Sequence, residues 1–142
     1  MLAELLPKSH IQEIKSVASW EKAIELASEP LLKFGFIEET YVKNMIKSVE
    51  QNGPYIVLMD YFALPHAEAG NGVNRLGMAL LKLTEPVDLK GNPVTVLLVL
   101  AAEDADSHIG ALREISQVLA DEDNYQQFIN GSIDDIHQLL TG

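Results

Sequence analysis

Four histidines mark this chain, at positions 10, 66, 108 and 137, and there is no cysteine. Thiolate nucleophiles, thiolate zinc sites and disulfides are therefore excluded. His66 follows Leu64-Pro65 and precedes Ala67, Ala69, Gly70 and Gly72. Pro65 fixes its own φ and biases Leu64 toward extended geometry, so the imidazole is presented stiffly at a strand end. Small neighbours leave it open. An open imidazole flanked by backbone N–H groups suits a nucleophile that must hold an anion afterwards; the other reading is a structural histidine closing a turn. His108 lies just past the next strong strand, in the first turn of a helix. Helix N-termini offer free N–H donors and a partial positive charge, and in open α/β sheets ligand sites gather at such strand ends. Two histidines with no carboxylate at ligand spacing make a poor zinc site. Glu103, Asp104 and Asp106 read as helix caps. No serine elbow, Walker loop or GxGxxG occurs. His10, in a polar lead-in, and His137, away from Ile136 and Leu139, read as solvated surface residues.

The elements that must hold these groups follow from periodicity. Ile11 to Val17 alternates, as a short edge strand or an irregular lead-in. Ser19 caps a helix whose apolar positions are Trp20, Ala23, Ile24, Ala27 and Leu31. Pro30 is expected to bend or split it, and Gly35 to end it. A second helix runs from Glu38 or Glu39 to about Gln51, with Tyr41, Met45, Ile46 and Val49 inward. Asn52-Gly53-Pro54 stops it. Tyr55–Met59 is uniformly apolar and is expected as a strand buried on both faces, leading into the histidine loop. Leu76–Leu83 is the next strand, Thr84–Pro93 a long turn, and Val94–Ala102 the central strand. Asp106 or Ser107 is expected to cap a helix to about Ala120. A short helix at Asp121–Ile129 and a last one from Gly131-Ser132 to Leu140, with Ile133, Ile136, Leu139 and Leu140 inward, complete the chain. The fold class is α/β: a single mixed sheet of about five strands flanked by helices on both faces, residues 1–142 forming one domain.

Bulk properties narrow the function. With 47% hydrophobic and 22% charged residues, the 142-residue chain is an ordinary globular domain. A net charge of −11 argues against nucleic acid as a partner. No apolar run is long enough to span a membrane, and the start of the chain lacks a signal-peptide pattern. A cytoplasmic location is expected. Any anionic substrate must be met by a local positive field.

Ala63-Leu64-Pro65-His66-Ala67, Gly72-Val73 and Glu85-Pro86-Val87 together resemble the enzyme IIA domains of the mannitol/fructose class of the bacterial sugar phosphotransferase system. Leu100 to His108, followed by Leu112, is similar to that family's second histidine block. Ala23-Ile24, Leu31-Leu32, Gly35-Phe36 and Tyr41–Met45 are similar to its helical hairpin. The resemblance covers nearly the whole chain. It implies that His66 is the phosphoryl acceptor and that His108 stabilises the phosphoryl group. It also implies a donor, the phosphocarrier HPr, and an acceptor cysteine or histidine on a IIB component, with no cofactor, nucleotide or metal. Self-association is left open. A regulatory IIA-like module that signals through its phosphorylation state is the alternative.

Two departures stand out. Mannitol and fructose members carry an arginine at the end of the second helix, where this chain reads Lys47-Ser48-Val49-Glu50-Gln51-Asn52. Arg75 and Lys47 are the candidate replacement cations; a solvated strand end and a helix face are their plainer readings. Glu68 stands where many relatives have arginine. The absent arginine, Gly53–Val57 and the Ser107-His108 block look most like the ascorbate-type branch, which implies an L-ascorbate or sugar-alcohol system. The phosphoryl is expected to rest on backbone N–H groups and His108. Phe62, Leu64 and Val73 are the apolar residues that either form a docking patch near His66 or enter the core.

Overall fold

The computed structural model describes residues 2–141. Met1 and Gly142 lie outside it, as do the side chains of Leu2, Ala3, Leu140 and Thr141, so the inward placement expected for Leu140 falls outside the described residues. In chain order the elements are α1 (Leu2–Leu5), a 3₁₀ turn at Lys8–His10, β1 (Ile11–Ile14), α2 (Trp20–Lys33), α3 (Glu39–Asn52), β2 (Val57–Met59), β3 (Tyr61–Ala63), β4 (Gly77–Leu89), β5 (Asn92–Ala101), α4 (Ala105–Leu119), α5 (Glu122–Asn130) and α6 (Ile133–Thr141). The five strands form one mixed sheet in the order β1-β4-β5-β3-β2. β5 is central: it runs antiparallel to β4 and parallel to β3.

Period-two alternation along β4 and β5 divides the core. Ala79, Leu81, Leu97 and Val99 face α2 and α3, where Ile24, Leu31, Tyr41 and Met45 are buried. Met78, Leu80, Val96, Leu98 and Leu100 face α4, α5 and α6, where Ile115, Phe128 and Ile136 are buried. Helices therefore cover both faces, as expected for this α/β class. Phe62 packs edge-on to Phe128 at 5.6 Å and is wholly buried. Burial of a side chain that size contributes roughly 1.5–3 kcal/mol.

Local signals explain most boundaries. Ser19 Oγ accepts the Lys22 N–H and starts α2. At its end Gly35 adopts φ 78°, the Gly35 N–H reaches Leu32 and the Phe36 N–H reaches Leu31, which is a Schellman closure. Pro30 does not split the helix. The carbonyl it leaves without an intrahelical donor, that of Leu26, accepts the side-chain amide of Gln12 on β1 at 2.7 Å.

Four expectations are corrected. Val57–Met59 is an edge strand with Leu58 44% exposed, rather than a strand buried on both faces. The chain then turns at Asp60 and returns as β3, which is the strand that delivers His66. The supposed long turn at Thr84–Pro93 is mostly strand. β4 passes a bulge between Lys82 and Val87, where Pro86 needs no ladder N–H, and continues to Leu89. Only Lys90 and Gly91 turn, at φ 53° and 94°, the pattern of a type I′ hairpin. The cap of α4 is Asp104, whose carboxylate accepts the Ser107 N–H. Finally, His10 is only 3% exposed. Its Nδ1 bonds the Met78 carbonyl at 2.8 Å, and its ring packs on Phe34 and Phe36. A polar sequence context concealed a contact made across the fold.

Gly72 has φ 85°, and a Cβ there would lie 2.8 Å from the Tyr41 backbone nitrogen. Gly72→Ala should therefore lower stability by roughly 1–3 kcal/mol, from both steric overlap and backbone strain. Denaturant unfolding checks this; a change within error would show that the loop yields freely.

Candidate functional site

Because β3 and β5 are parallel neighbours, their C-terminal ends open on the same edge of the sheet. Leu64 and Pro65 carry the chain past β3, and α4 begins just after β5. His66 and His108 consequently meet, with ring centroids 5.4 Å apart. Both are half-buried. They line a cavity of about 540 Å³ together with Ser48, Asn52, Tyr55, Glu68, Ala105 and Ile109, among others.

His66 Nδ1–H donates to the Leu64 carbonyl at 2.6 Å. A carbonyl only accepts, so this bond selects the tautomer with its proton on Nδ1 and its lone pair on Nε2. The carbonyl is available because Pro65, not Leu64, accepts the ladder bond from the Leu100 N–H. The loop after His66 is glycine-rich, yet it is held. The Ala67 N–H donates to the Tyr41 hydroxyl at 3.1 Å, which in turn donates to the Leu100 carbonyl at 2.6 Å. Burial pushes the Tyr41 hydroxyl up to about 12, so it stays protonated as this bridge, although the Ala67 N–H pulls the other way. The Gly70 N–H reaches the Ala102 carbonyl, and Val73 bridges Ile37.

A hydrogen-bonded chain approaches from α3. Asn52 and Ser48 are four residues apart on one helix face. Asn52 donates to Ser48 at 3.4 Å, the Ser48 and Tyr55 hydroxyls are 2.8 Å apart, and Tyr55 lies 2.8 Å from the His66 carbonyl. The Tyr55 ring also packs edge-on to His66 at 5.3 Å. Sequence reasoning missed Ser48, Asn52, Tyr55 and Tyr41 as site residues. The i, i+4 polar pair at the end of an amphipathic helix was the available signal.

No cationic side chain is among the residues lining the cavity. Arg75 donates to the Phe34 carbonyl and lies 3.9 Å over the Phe36 ring, so it serves the α2 terminus instead. Lys47 does not line the cavity either. Glu68 does, and is exposed. Glu68 and Ala69 have backbone N–H groups with no acceptor among the described residues. Asp104 caps α4, and the Ser107 N–H and hydroxyl hold its carboxyl below the usual range. Phe62 and Leu64 are wholly buried core residues and Val73 packs against the core; the exposed apolar groups at the cavity are Tyr55 and Ile109. Among the described residues no cluster of three or more potential metal ligands occurs.

His108 has a buried Nδ1 with no partner. Burial, and then the neighbouring His66, hold its pKa below the ordinary value of 6.5. At neutral pH His108 is thus an uncharged imidazole, and it faces the ring whose Nδ1 proton is committed to Leu64.

The family model for the phosphoenolpyruvate-dependent sugar phosphotransferase system, EIIA 2, matches residues 4–142. The mannitol-specific cryptic phosphotransferase enzyme IIA component of Escherichia coli is 37% identical over 133 residues, covering 92% of this chain and 90% of that one. A solution structure of the protein so named superposes with a TM-score of 0.91 at 34% identity, over 99% of this chain and 97% of that one. The ascorbate-specific EIIA component of Shigella boydii is 32% identical over 114 residues, 77% of this chain and 73% of that one. An Escherichia coli complex of a mannitol enzyme IIA with phosphorylated enzyme IIB also matches, at 26% identity and a TM-score of 0.79, over 94% of this chain and 95% of that one.

The depressed His108 pKa has a signed consequence. Unfolded, the ring titrates near 6.5; folded, it titrates lower. As pH falls below 6.5 the unfolded chain takes up a proton that the folded chain refuses. The stability this group contributes is therefore fully present above 6.5 and is lost as pH falls through the folded value. Ring-proton NMR should show His108 titrating below 6.5, and His66→Ala should move it upward without restoring it fully, because burial remains. No movement would remove His66 as a cause.

Proposed function

We propose that this chain, which belongs to the EIIA 2 family of the phosphoenolpyruvate-dependent sugar phosphotransferase system, carries its phosphoryl group on Nε2 of His66. The observation that carries this reading is the Nδ1–H bond to Leu64 in a histidine that shares a cavity with a second, uncharged histidine. The donor is the phosphohistidine of HPr. The Nε2 lone pair attacks phosphorus in line, the donor's N–P bond breaks, and its electron pair returns to the donor ring. His66 keeps its Nδ1 proton. The ring becomes positively charged as the N–P bond forms, and the Leu64 carbonyl stabilises that charge.

The phosphoryl oxygens are met by His108 and by the N–H groups of Glu68 and Ala69, in a site that has no cation of its own. Tyr55 and Tyr41 hold the loop around them. Onward transfer reverses the step: a cysteine or histidine of a IIB component attacks phosphorus and His66 leaves as a neutral imidazole. The chain works as one cytoplasmic domain in the uptake of L-ascorbate or a sugar alcohol. Relatives named for mannitol and for ascorbate, and a relative solved with its IIB partner, support this assignment.

Incubation with phosphoenolpyruvate, enzyme I and HPr should add one acid-labile phosphoryl group to the wild-type protein and none to His66→Ala. Label on His66→Ala would overturn the assignment. His108→Ala should fold normally and slow transfer by roughly a hundredfold or more, the scale of losing one preorganised donor. Unchanged rates of both loading and delivery would remove His108 from the mechanism.

A further inference from the structure

The α3 side of the histidine cavity carries a row of two hydroxyls and an amide that folding does not require. The Gly53-Pro54 turn returns Tyr55 beside α3, with the Tyr55 N–H on the Gly53 carbonyl at 2.9 Å. Tyr55 and Asn52 are exposed and Ser48 is half-buried. Holding three such side chains in one arrangement costs rotamer entropy, and none of them enters either half of the core. The end of α3 is closed by Gly53, whose N–H reaches the Val49 carbonyl, so Asn52 is not needed as its cap. All three side chains line the cavity of His66 and His108.

The direction of the row follows from its far end. The His66 carbonyl only accepts, so the single hydroxyl proton of Tyr55 points to it. The Tyr55 oxygen must then accept from Ser48 across 2.8 Å, which uses the Ser48 proton. The Ser48 oxygen is left to accept from the Asn52 amide at 3.4 Å, which turns the carboxamide with its nitrogen toward Ser48. Protons thus run one way, from Asn52 through Ser48 and Tyr55 to His66, and donors in such a row polarise one another. Within the row, only Asn52 keeps a donor in hand: its second amide proton has no acceptor among the described residues. No cation lines this cavity, and His108 and the N–H groups of Glu68 and Ala69 approach from other elements. The Glu68 carboxylate also lines it, and is exposed. The phosphoryl group arrives bonded to a donor ring rather than as a free anion, so the site does not have to attract one from solvent.

We propose that Asn52 donates its free amide proton to the phosphoryl group on His66, and that Ser48 and Tyr55 are positioning residues that aim it. This rests on His66 as the carrier. The test is the equilibrium of phosphoryl exchange with HPr: each protein is mixed with phosphorylated HPr, and the two phosphohistidines are counted by ³¹P NMR. Asn52→Ala should shift the equilibrium toward HPr about tenfold, the loss of one hydrogen bond to a charged group. Asn52→Asp keeps the shape but replaces the donor with a negative acceptor, and should shift it further. A purely structural role would make the isosteric Asp the milder change. Ser48→Ala and Tyr55→Phe leave the amide in place but unaimed, and each should shift the equilibrium in the same direction by less than Asn52→Ala does. An unchanged equilibrium in Asn52→Ala, or a shift in Asn52→Asp no greater than in Asn52→Ala, would overturn the proposal. An unchanged equilibrium in both Ser48→Ala and Tyr55→Phe would remove the aiming role. Wild-type protein that takes up no phosphoryl group, or His66→Ala that still does, would defeat the His66 assignment instead.

Discussion

The short bond from His66 Nδ1 to the Leu64 carbonyl is the constraint on which the rest of the site depends. It fixes the ring's orientation and decides which nitrogen keeps the lone pair. It exists because proline at 65 lacks an N–H while its carbonyl takes over the ladder bond from Leu100. The Leu64 carbonyl is thereby spared for a side chain only two residues away. Tyr41 then fixes the loop from the opposite direction, joining α3, β5 and Ala67 through one hydroxyl. A wholly buried tyrosine has little freedom left to lose, so this bridge is a rigid support for a glycine-rich loop.

The charge around the site follows from what the fold leaves out. Arg75 is committed to Phe34 and Phe36, Lys47 is elsewhere, and Glu68 adds a negative group. In their place stand hydroxyls, amides and neutral imidazole. Such donors stabilise an anion through direction rather than net charge, and they do so without attracting counter-ions beforehand.

Much of this was legible in the residues. Ser19, Gly35 and Gly53 mark helix ends because capping is local chemistry. The apolar run at 94–101 marks the central strand because a strand covered on both faces has no polar side. The meeting of His66 and His108 was legible because both follow strand ends. What was not legible depends on partners distant in sequence. His10 is buried by Phe34, Phe36 and Met78. Pro30 is tolerated because Gln12 supplies a donor from another element. The apolar segment at 55–59 became a sheet edge, since composition alone does not distinguish a central strand from an edge strand. The two prolines at 86 and 93 suggested a loop, whereas a bulge and a two-residue turn accommodate them within strands.

The pairing of β1 with β4 has a kinetic meaning. The His10–Met78 bond closes a separation of 68 positions, and Ile11 to Ile14 pair with Leu80 to Leu83 in parallel. Nothing nearer in sequence satisfies that strand's ladder. During synthesis the first strand must wait, unpaired, until more than half of the chain has been made. Long-range parallel pairing is also the slow part of folding, since loop closure precedes any gain from the contact. The edge strand that is made first can thus join the sheet only once β4 exists, and Gln12 and Glu13 keep that waiting edge polar.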